Sequence, residues 1–285
     1  MASERTACIS FSGITIRFRF PTPVVLSEPF LALQCADPGT ADEEIEICLL
    51  DTPLCPGSEP VHTGTGITIY PVKEGWLRIY PPLTAKDGCQ VACLLRPNGK
   101  HTLYYPTCRW DFYASPLRCF HLIGGEVLLL RHNAFLLHSS LVRYNGKMLL
   151  FSGPPCAGKS TQAELWRRYL GSEIINGDRC VIMERDGLFY GGGSPWAGTS
   201  GLYRPDQAPI AGILLVNKAP ENRLDRLGFS AFAPLFTQTI VNSWDPEFMK
   251  QVCGLFEKLL AQVPVYRLNC RPDEEAVELV RRTLF

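Results

Sequence analysis

The segment Gly153-Pro154-Pro155-Cys156-Ala157-Gly158-Lys159-Ser160-Thr161 constrains this chain more than any other stretch. It matches GxxxxGK[ST] in full, and each residue type has a physical reason. The glycines let the backbone turn and come close to phosphates. Successive N–H groups then point inward as an anion nest at a helix N-terminus. A lysine at Lys159 reaches the β- and γ-phosphates, and Ser160 offers a hydroxyl to Mg²⁺. Pro154 and Pro155 carry no N–H, but they stand early in the loop, where fewer donors are needed. The expectation is that residues 153–161 hold the phosphates of a nucleoside triphosphate.

The flanking sequence suits such a loop. Leu141 to Tyr144 and Lys147 to Phe151 are strand-like runs around Asn145-Gly146. That pair predicts a type I′ hairpin, because both central residues need positive φ. The second hairpin strand leads into the loop, and Gln162 to Leu170 predicts the helix after it. Further strands are expected at Glu173 to Ile175, Cys180 to Met183 and Ile213 to Val216. Helices are expected at Pro246 to Ala261 and Asp273 to Thr283. In the first, Phe248, Val252, Leu255, Phe256 and Leu259 share one face. Asp245 is placed to cap it, with Pro246 in its first turn.

The N-terminal part reads differently. Ile14, Ile16, Phe18 and Phe20 alternate with Thr15, Arg17 and Arg19, the period of a half-buried strand. Short strand-like runs follow at Glu44 to Leu50, Gly66 to Val72, Trp76 to Tyr80, Gln90 to Leu95 and His101 to Tyr105, parted by Pro and Gly clusters. From about Asp111 the texture lengthens, and Phe112 to Leu130 reads as more helical. We therefore expect a β-rich domain over residues 1–107, for substrate recognition or scaffolding, and an α/β domain over 108–285.

Composition narrows the partners. Lys plus Arg and Asp plus Glu each number 28, with no block of like charge. A general nucleic-acid surface is not expected, since phosphate-backbone affinity needs clustered cations, although a local basic site stays open. The first residues show no basic segment followed by an apolar one. The apolar stretch Cys119 to Leu141 is broken by Gly124, Gly125, Glu126, Arg131, His132 and Asn133, so no membrane span is expected. The 12 cysteines form no CxxC pair. Cys89 and Cys93 are spaced CxxxC, with no second pair at finger-like distance. Free thiols in a reducing cytoplasm are the expected state, and a disulfide or redox role the alternative.

A phosphate loop needs an acid to hold its metal. Asp178, just after Ile174-Ile175, is the nearest candidate, and is otherwise a turn or cap residue. His138, in the apolar run Phe135 to Val142, reads by default as a core histidine.

With these residues in view, the stretch from His138 to Asp178 resembles the kinase domain of HPr kinase/phosphatase and its phosphoenolpyruvate carboxykinase-like relatives. Leu137-His138-Ser139-Ser140 before the loop, a hairpin leading straight into the loop, and Ile174-Ile175-Asn176-Gly177-Asp178-Arg179 after its helix carry the resemblance. Gly193 to Gly201, around Trp196, is similar to uncharacterised relatives in that group. The likeness covers roughly residues 110–285. It implies a P-loop kinase domain of that type using ATP and Mg²⁺. His138 would be an active-site residue near the transferred phosphate, and Ser160 and Asp178 would be metal ligands. Asp178 would also serve as the base on a hydroxyl acceptor. Relatives of this type can accompany peptide modification, so a Ser or Thr of a protein or peptide is the expected acceptor. Gly177 departs from the pattern, standing where the group has the first acid of a pair.

Two roles stay open. Trp196 is either loop packing or a wall against a ligand, and Arg204 either neutralises phosphate charge or is solvated. Two other readings compete with a kinase. The missing acid at Gly177 points to a nucleotide-binding module without turnover. Asn217-Lys218 points to a GTPase guanine motif, but Pro220 occupies the position of its Asp.

Overall fold

The computed structural model describes residues 3–81, 90–110, 119, 120 and 122–285. The expected helical character of 112–118 and the Cys89 member of the CxxxC pair lie outside the described residues. By its own contacts the chain forms two compact units. One comprises residues 1–10 and 14–128, the other residues 11–13 and 129–285.

The first unit carries β1 (Ser3–Phe11), β2 (Ile14–Val25), a short α1 (Phe30–Leu33), β3 (Glu43–Leu50), β4 (His62–Gly64), β5 (Ile67–Val72), β6 (Gly75–Tyr80), β7 (Val91–Leu95) and β8 (Lys100–Pro106). They make one eight-stranded sheet in the order β1-β2-β3-β8-β7-β6-β5-β4. The pairs β2–β3 and β3–β8 are parallel. The alternation read from Ile14 to Phe20 holds, with Ile14, Ile16, Phe18 and Phe20 all buried. Arg17 is buried as well, tied to Asp37 and to Glu44 at 2.7 Å.

The division at 128/129 falls later in the chain than the change of texture near 107. The physical reason is aromatic packing. The Phe120 ring lies 5.5 Å from Phe18 and 5.1 Å from Phe30, so this segment belongs to the first unit's core. The helix α2 (Gly125–Arg131) follows it.

The second unit is mixed α/β. Its strands are β9 (Ala134–Tyr144), β10 (Lys147–Ser152), β11 (Glu173–Asn176), β12 (Arg179–Arg185), β13 (Leu188–Gly192), β14 (Gln207–Lys218), β15 (Arg223–Leu227) and β16 (Val265–Cys270). Its helices are α3 (Lys159–Leu170), α4 (Phe232–Phe236), α5 (Pro246–Gln262) and α6 (Glu274–Leu284). The sheet runs β10-β9-β12-β13-β14-β16-β15, with β11 also on β9. Because β10 pairs with β14 too, the strands β10, β9, β12, β13 and β14 form a closed circuit.

Local chemistry explains the elements that place the site. Asn145 and Gly146 take φ of 46° and 72°, closing the predicted hairpin between β9 and β10. The helix α3 turns Ala163, Leu165 and Trp166 onto a core shared with Phe151, Val216 and Leu268. Asp245 caps α5, its Oδ1 accepting from the N–H groups of Glu247 at 3.0 Å and Phe248 at 3.1 Å. The five predicted apolar residues of α5 are its buried face. No helix among the described residues is long and apolar enough to cross a membrane. Cys156 and the other ten described cysteines are free thiols.

Candidate functional site

The site is built where β10 ends. On one side of β10 runs β9, antiparallel, and on the other β14, parallel. The chain leaves β10 at Ser152, turns through residues 153–158 and enters α3 at Lys159. Three residues of this loop have positive φ: Gly153 at 140°, Cys156 at 62° and Gly158 at 109°. Gly153 also lies close against β14. A β-carbon there would stand 3.2 Å from the carbonyl oxygen of Val216. The first bond of the helix runs from the N–H of Gln162 to the carbonyl of Gly158 at 2.9 Å. The N–H groups of Lys159, Ser160 and Thr161 come before it, so the helix start is a set of donors without helical acceptors.

Lys159 lies back across this loop. Its ammonium donates to the carbonyls of Gly153 at 2.9 Å and Pro154 at 3.1 Å. Burial pushes its pKa down, against the pull of the Asp178 carboxylate. Ser160, next along, is exposed.

His138 and Asp178 meet beside the loop. His138 Nδ1 lies 3.1 Å from Asp178 Oδ1. Backbone pairing sets their positions: the Ser139 N–H donates to the Asp178 carbonyl at 2.9 Å, and the His138 N–H to that of Gln238 at 2.8 Å. The His138 pKa is lowered, first by burial and then by the Lys159 ammonium, with Asp178 opposing. A neutral imidazole whose Nδ1–H donates to Asp178 leaves Nε2 as an acceptor.

Asn176 presents Asp178, a role the sequence did not disclose. Its buried Oδ1 accepts from the N–H groups of Asp178 at 2.9 Å and Arg179 at 3.0 Å. The signal available was an Asn two residues before the acid, an Asx-turn arrangement.

Gly177 itself is closely packed. A β-carbon on Gly177 would lie 2.6 Å from Ser200 Cβ, and one on Gly198 would lie 2.7 Å from Asp178 Cγ. A short helical turn at Gly198–Ser200 therefore rests directly on Gly177 and Asp178.

The other sequence candidates divide. Trp196 is buried, with 7% of its surface exposed, which is the packing reading of that residue. Arg204 pairs with Glu173 at 3.6 Å, in a network where Arg143 holds both Glu173 and Asp206. Asn217 donates to Asn269 Oδ1 at 2.8 Å rather than standing alone as a base-reading group.

Two spaces flank the loop. A cleft of about 710 Å³ touches its start, from Gly153 to Ala157, and extends to Lys218, Arg223, Arg267 and Asn269. A smaller one of about 340 Å³ touches its helical end and is lined by Gly158, Thr161, Gln162, Arg271 and Pro272. Neither includes His138 or Asp178, but Gln238, which bonds the His138 N–H, lines the larger. Sequence reading missed Arg223, Arg267 and Asn269. Their signal is position, since β14 and β16 run parallel to β10 and ligands gather beyond the carboxyl ends of such strands.

No family model matches this sequence, and no curated protein matches it either. Among solved structures, the chain is similar to the Hpr(Ser) kinase/phosphatase from Coxiella burnetii, at 12% identity and a TM-score of 0.29. That alignment covers 52% of this chain and 92% of the other.

Proposed function

We propose that this chain is an ATP-dependent kinase transferring the γ-phosphoryl to a hydroxyl, a Ser or Thr of a protein or peptide. One observation carries the reading: the glycine-rich loop with Lys159 folded across it stands beside the His138–Asp178 pair. The donors at the start of α3 suit the α- and β-phosphates, and Lys159 suits the β- and γ-phosphates. The acceptor oxygen bonds to the γ-phosphorus as the bond from that phosphorus to the bridging oxygen breaks. The electron pair leaves with ADP, and the hydroxyl proton passes to the Asp178 carboxylate. His138, held against that carboxylate, orients it.

Ser160 and Asp178 are hard oxygen donors of the kind Mg²⁺ takes. No group of three or more His, Cys, Asp or Glu among the described residues is gathered as a metal site. Mg²⁺ keeps waters and phosphate oxygens and needs only one or two protein ligands. When bound, the ion would neutralise charge on the phosphate oxygens.

The test is transfer of label from γ-labelled ATP, with Mg²⁺, to Ser- and Thr-containing peptides. A second reading has its own observation. The turn at 198–200 fills the space beside Gly177, leaving Asp178 as the one carboxylate of that motif. A stoichiometric ATP complex with neither transfer nor hydrolysis would establish a nucleotide-binding module instead.

A further inference from the structure

Beside the His138–Asp178 pair stands a second cation that the transfer step leaves unused. Arg179 opens β12 directly opposite His138 on β9, and residues paired in that way carry their side chains on one face of the sheet. That face is the one α3 covers. His138 and Val142 lie four residues apart on β9, so they share a face, and Val142 packs with Phe151 of β10 and with Ala163 and Trp166 of α3. Lys159 begins the same helix. Strand register therefore sets the imidazole, the guanidinium and the ammonium on one side of the sheet, at the end where the loop turns.

Asp178 stands between the two basic side chains. Its Oδ1 faces His138 Nδ1 at 3.1 Å, and its Oδ2 faces Arg179 Nε at 3.7 Å. The second distance is too long for a hydrogen bond, so the carboxylate attracts the guanidinium without occupying its N–H groups. No other carboxylate among the described residues pairs with Arg179, whose side chain is 40% exposed. The structural arginines of this chain differ. Arg17 and Arg78 are 7% and 5% exposed, and they bond to Glu44 at 2.7 Å and Glu126 at 2.5 Å. The backbone of Arg179 is nevertheless fixed: its N–H donates to Asn176 Oδ1 at 3.0 Å, and its carbonyl accepts from the Ser194 hydroxyl. Both Arg179 and Lys159 act on His138, each lowering its pKa.

A guanidinium is a planar fork that takes two oxygens of one phosphoryl group at once. We infer that Arg179 is a further catalytic residue, whose guanidinium binds the γ-phosphoryl oxygens as the group passes from nucleotide to acceptor. This rests on the kinase reading for the transfer step. With Lys159 at the β- and γ-phosphates and Asp178 at the acceptor hydroxyl, the moving group lies between them, within a side chain's length of Arg179. The guanidinium gives up no proton. It donates hydrogen bonds to the non-bridging oxygens while the bond to the acceptor forms, the bond to the bridging oxygen breaks and the electron pair leaves with ADP. Donors held ready for charge in flight lower the barrier more than they tighten the ground state.

The full chain with Mg²⁺ is titrated with two probes: ADP alone, and ADP with aluminium fluoride, which takes the place of the phosphoryl group in flight. Arg179→Ala should keep ADP affinity within about twofold of wild type and weaken the aluminium fluoride complex roughly 100-fold or more, as removing one donor to transition-state charge does. Arg179→Lys keeps a charge beside Asp178 but has no fork, so its complex should stay roughly tenfold or more weaker than wild type. The side chain is partly exposed, so both variants should unfold at the wild-type temperature; should Arg179→Ala fail to fold, Arg179→Lys carries the same test. An aluminium fluoride complex as tight in Arg179→Ala as in wild type overturns the inference. So does equal loss of ADP and of the complex, because Arg179 then serves ground-state binding. Full recovery in Arg179→Lys also overturns it, because a charge beside Asp178 then suffices, and so does a wild type that binds ADP but never aluminium fluoride. Label transfer from γ-labelled ATP to Ser and Thr peptides is read separately. A complex that depends on Arg179 in a wild type that hydrolyses ATP but transfers no label leaves the inference standing and removes the kinase reading.

Discussion

Gly177 and Ser200 are in contact so close that a single added carbon would not fit between them: a β-carbon on Gly177 falls 2.6 Å from Ser200 Cβ. Asp178, the next residue, meets the same turn through Gly198. The space that a side chain at position 177 would take is therefore filled by the Ser200 side chain.

An acid introduced at that position must move the turn. Gly177→Asp should lower stability by about 1–3 kcal/mol, the usual range for overpacking a filled site. Gly177→Asp with Ser200→Gly should recover much of that loss. Thermal unfolding of the two variants checks this, and equal destabilisation in both would show that Ser200 is not the obstacle.

Lys159→Ala should weaken ATP binding by roughly tenfold or more, since a charge-assisted contact to phosphate is lost. Calorimetry with ATP on a folded variant gives the answer. An unchanged dissociation constant would remove the loop from nucleotide binding.

Asp178→Asn keeps the shape and removes the charge. Its backbone bonds to Ser139 and Asn176 do not involve the carboxylate, so folding should survive. Transfer should fall by about 10²- to 10⁴-fold, the contribution of a positioned base. The measurement is single-turnover transfer from labelled ATP, and a rate within threefold of wild type would assign the proton to another group.

His138 offers a charge-sensitive readout. Burial and Lys159 hold its pKa below the ordinary value of 6.5, while Asp178 raises it. Lys159→Met should therefore raise the imidazole midpoint in an NMR titration, and Asp178→Asn should lower it further. The sign for stability follows from linkage: the unfolded chain takes up this proton more readily than the folded one. The stabilising contribution is present above pH 6.5 and is lost as pH falls through the lowered folded-state value. Opposite movement in either variant would show that the three side chains do not share one electrostatic environment.

The sequence by itself determined what depends on neighbours along the chain. The Asn145-Gly146 turn, the loop into α3, the Asp245 cap and the apolar face of α5 are set within a few residues. There backbone φ, orphan helix donors and helical period decide the outcome. Tertiary structure decided everything that depends on strand register. It brought His138 on β9 against Asp178 after β11, laid the 198–200 turn on Gly177, and put Arg223, Arg267 and Asn269 on one face of β15 and β16. Two strands of this sheet carry no such local signal. Arg223–Leu227 is short and charged, and Leu188–Gly192 ends in two glycines, so neither shows the apolar alternation of a half-buried strand. Trp196 and Arg204 were open in the sequence for the same reason. Whether such a side chain packs, pairs or faces a ligand is settled by residues distant in the chain, whose arrival depends on long-range pairing.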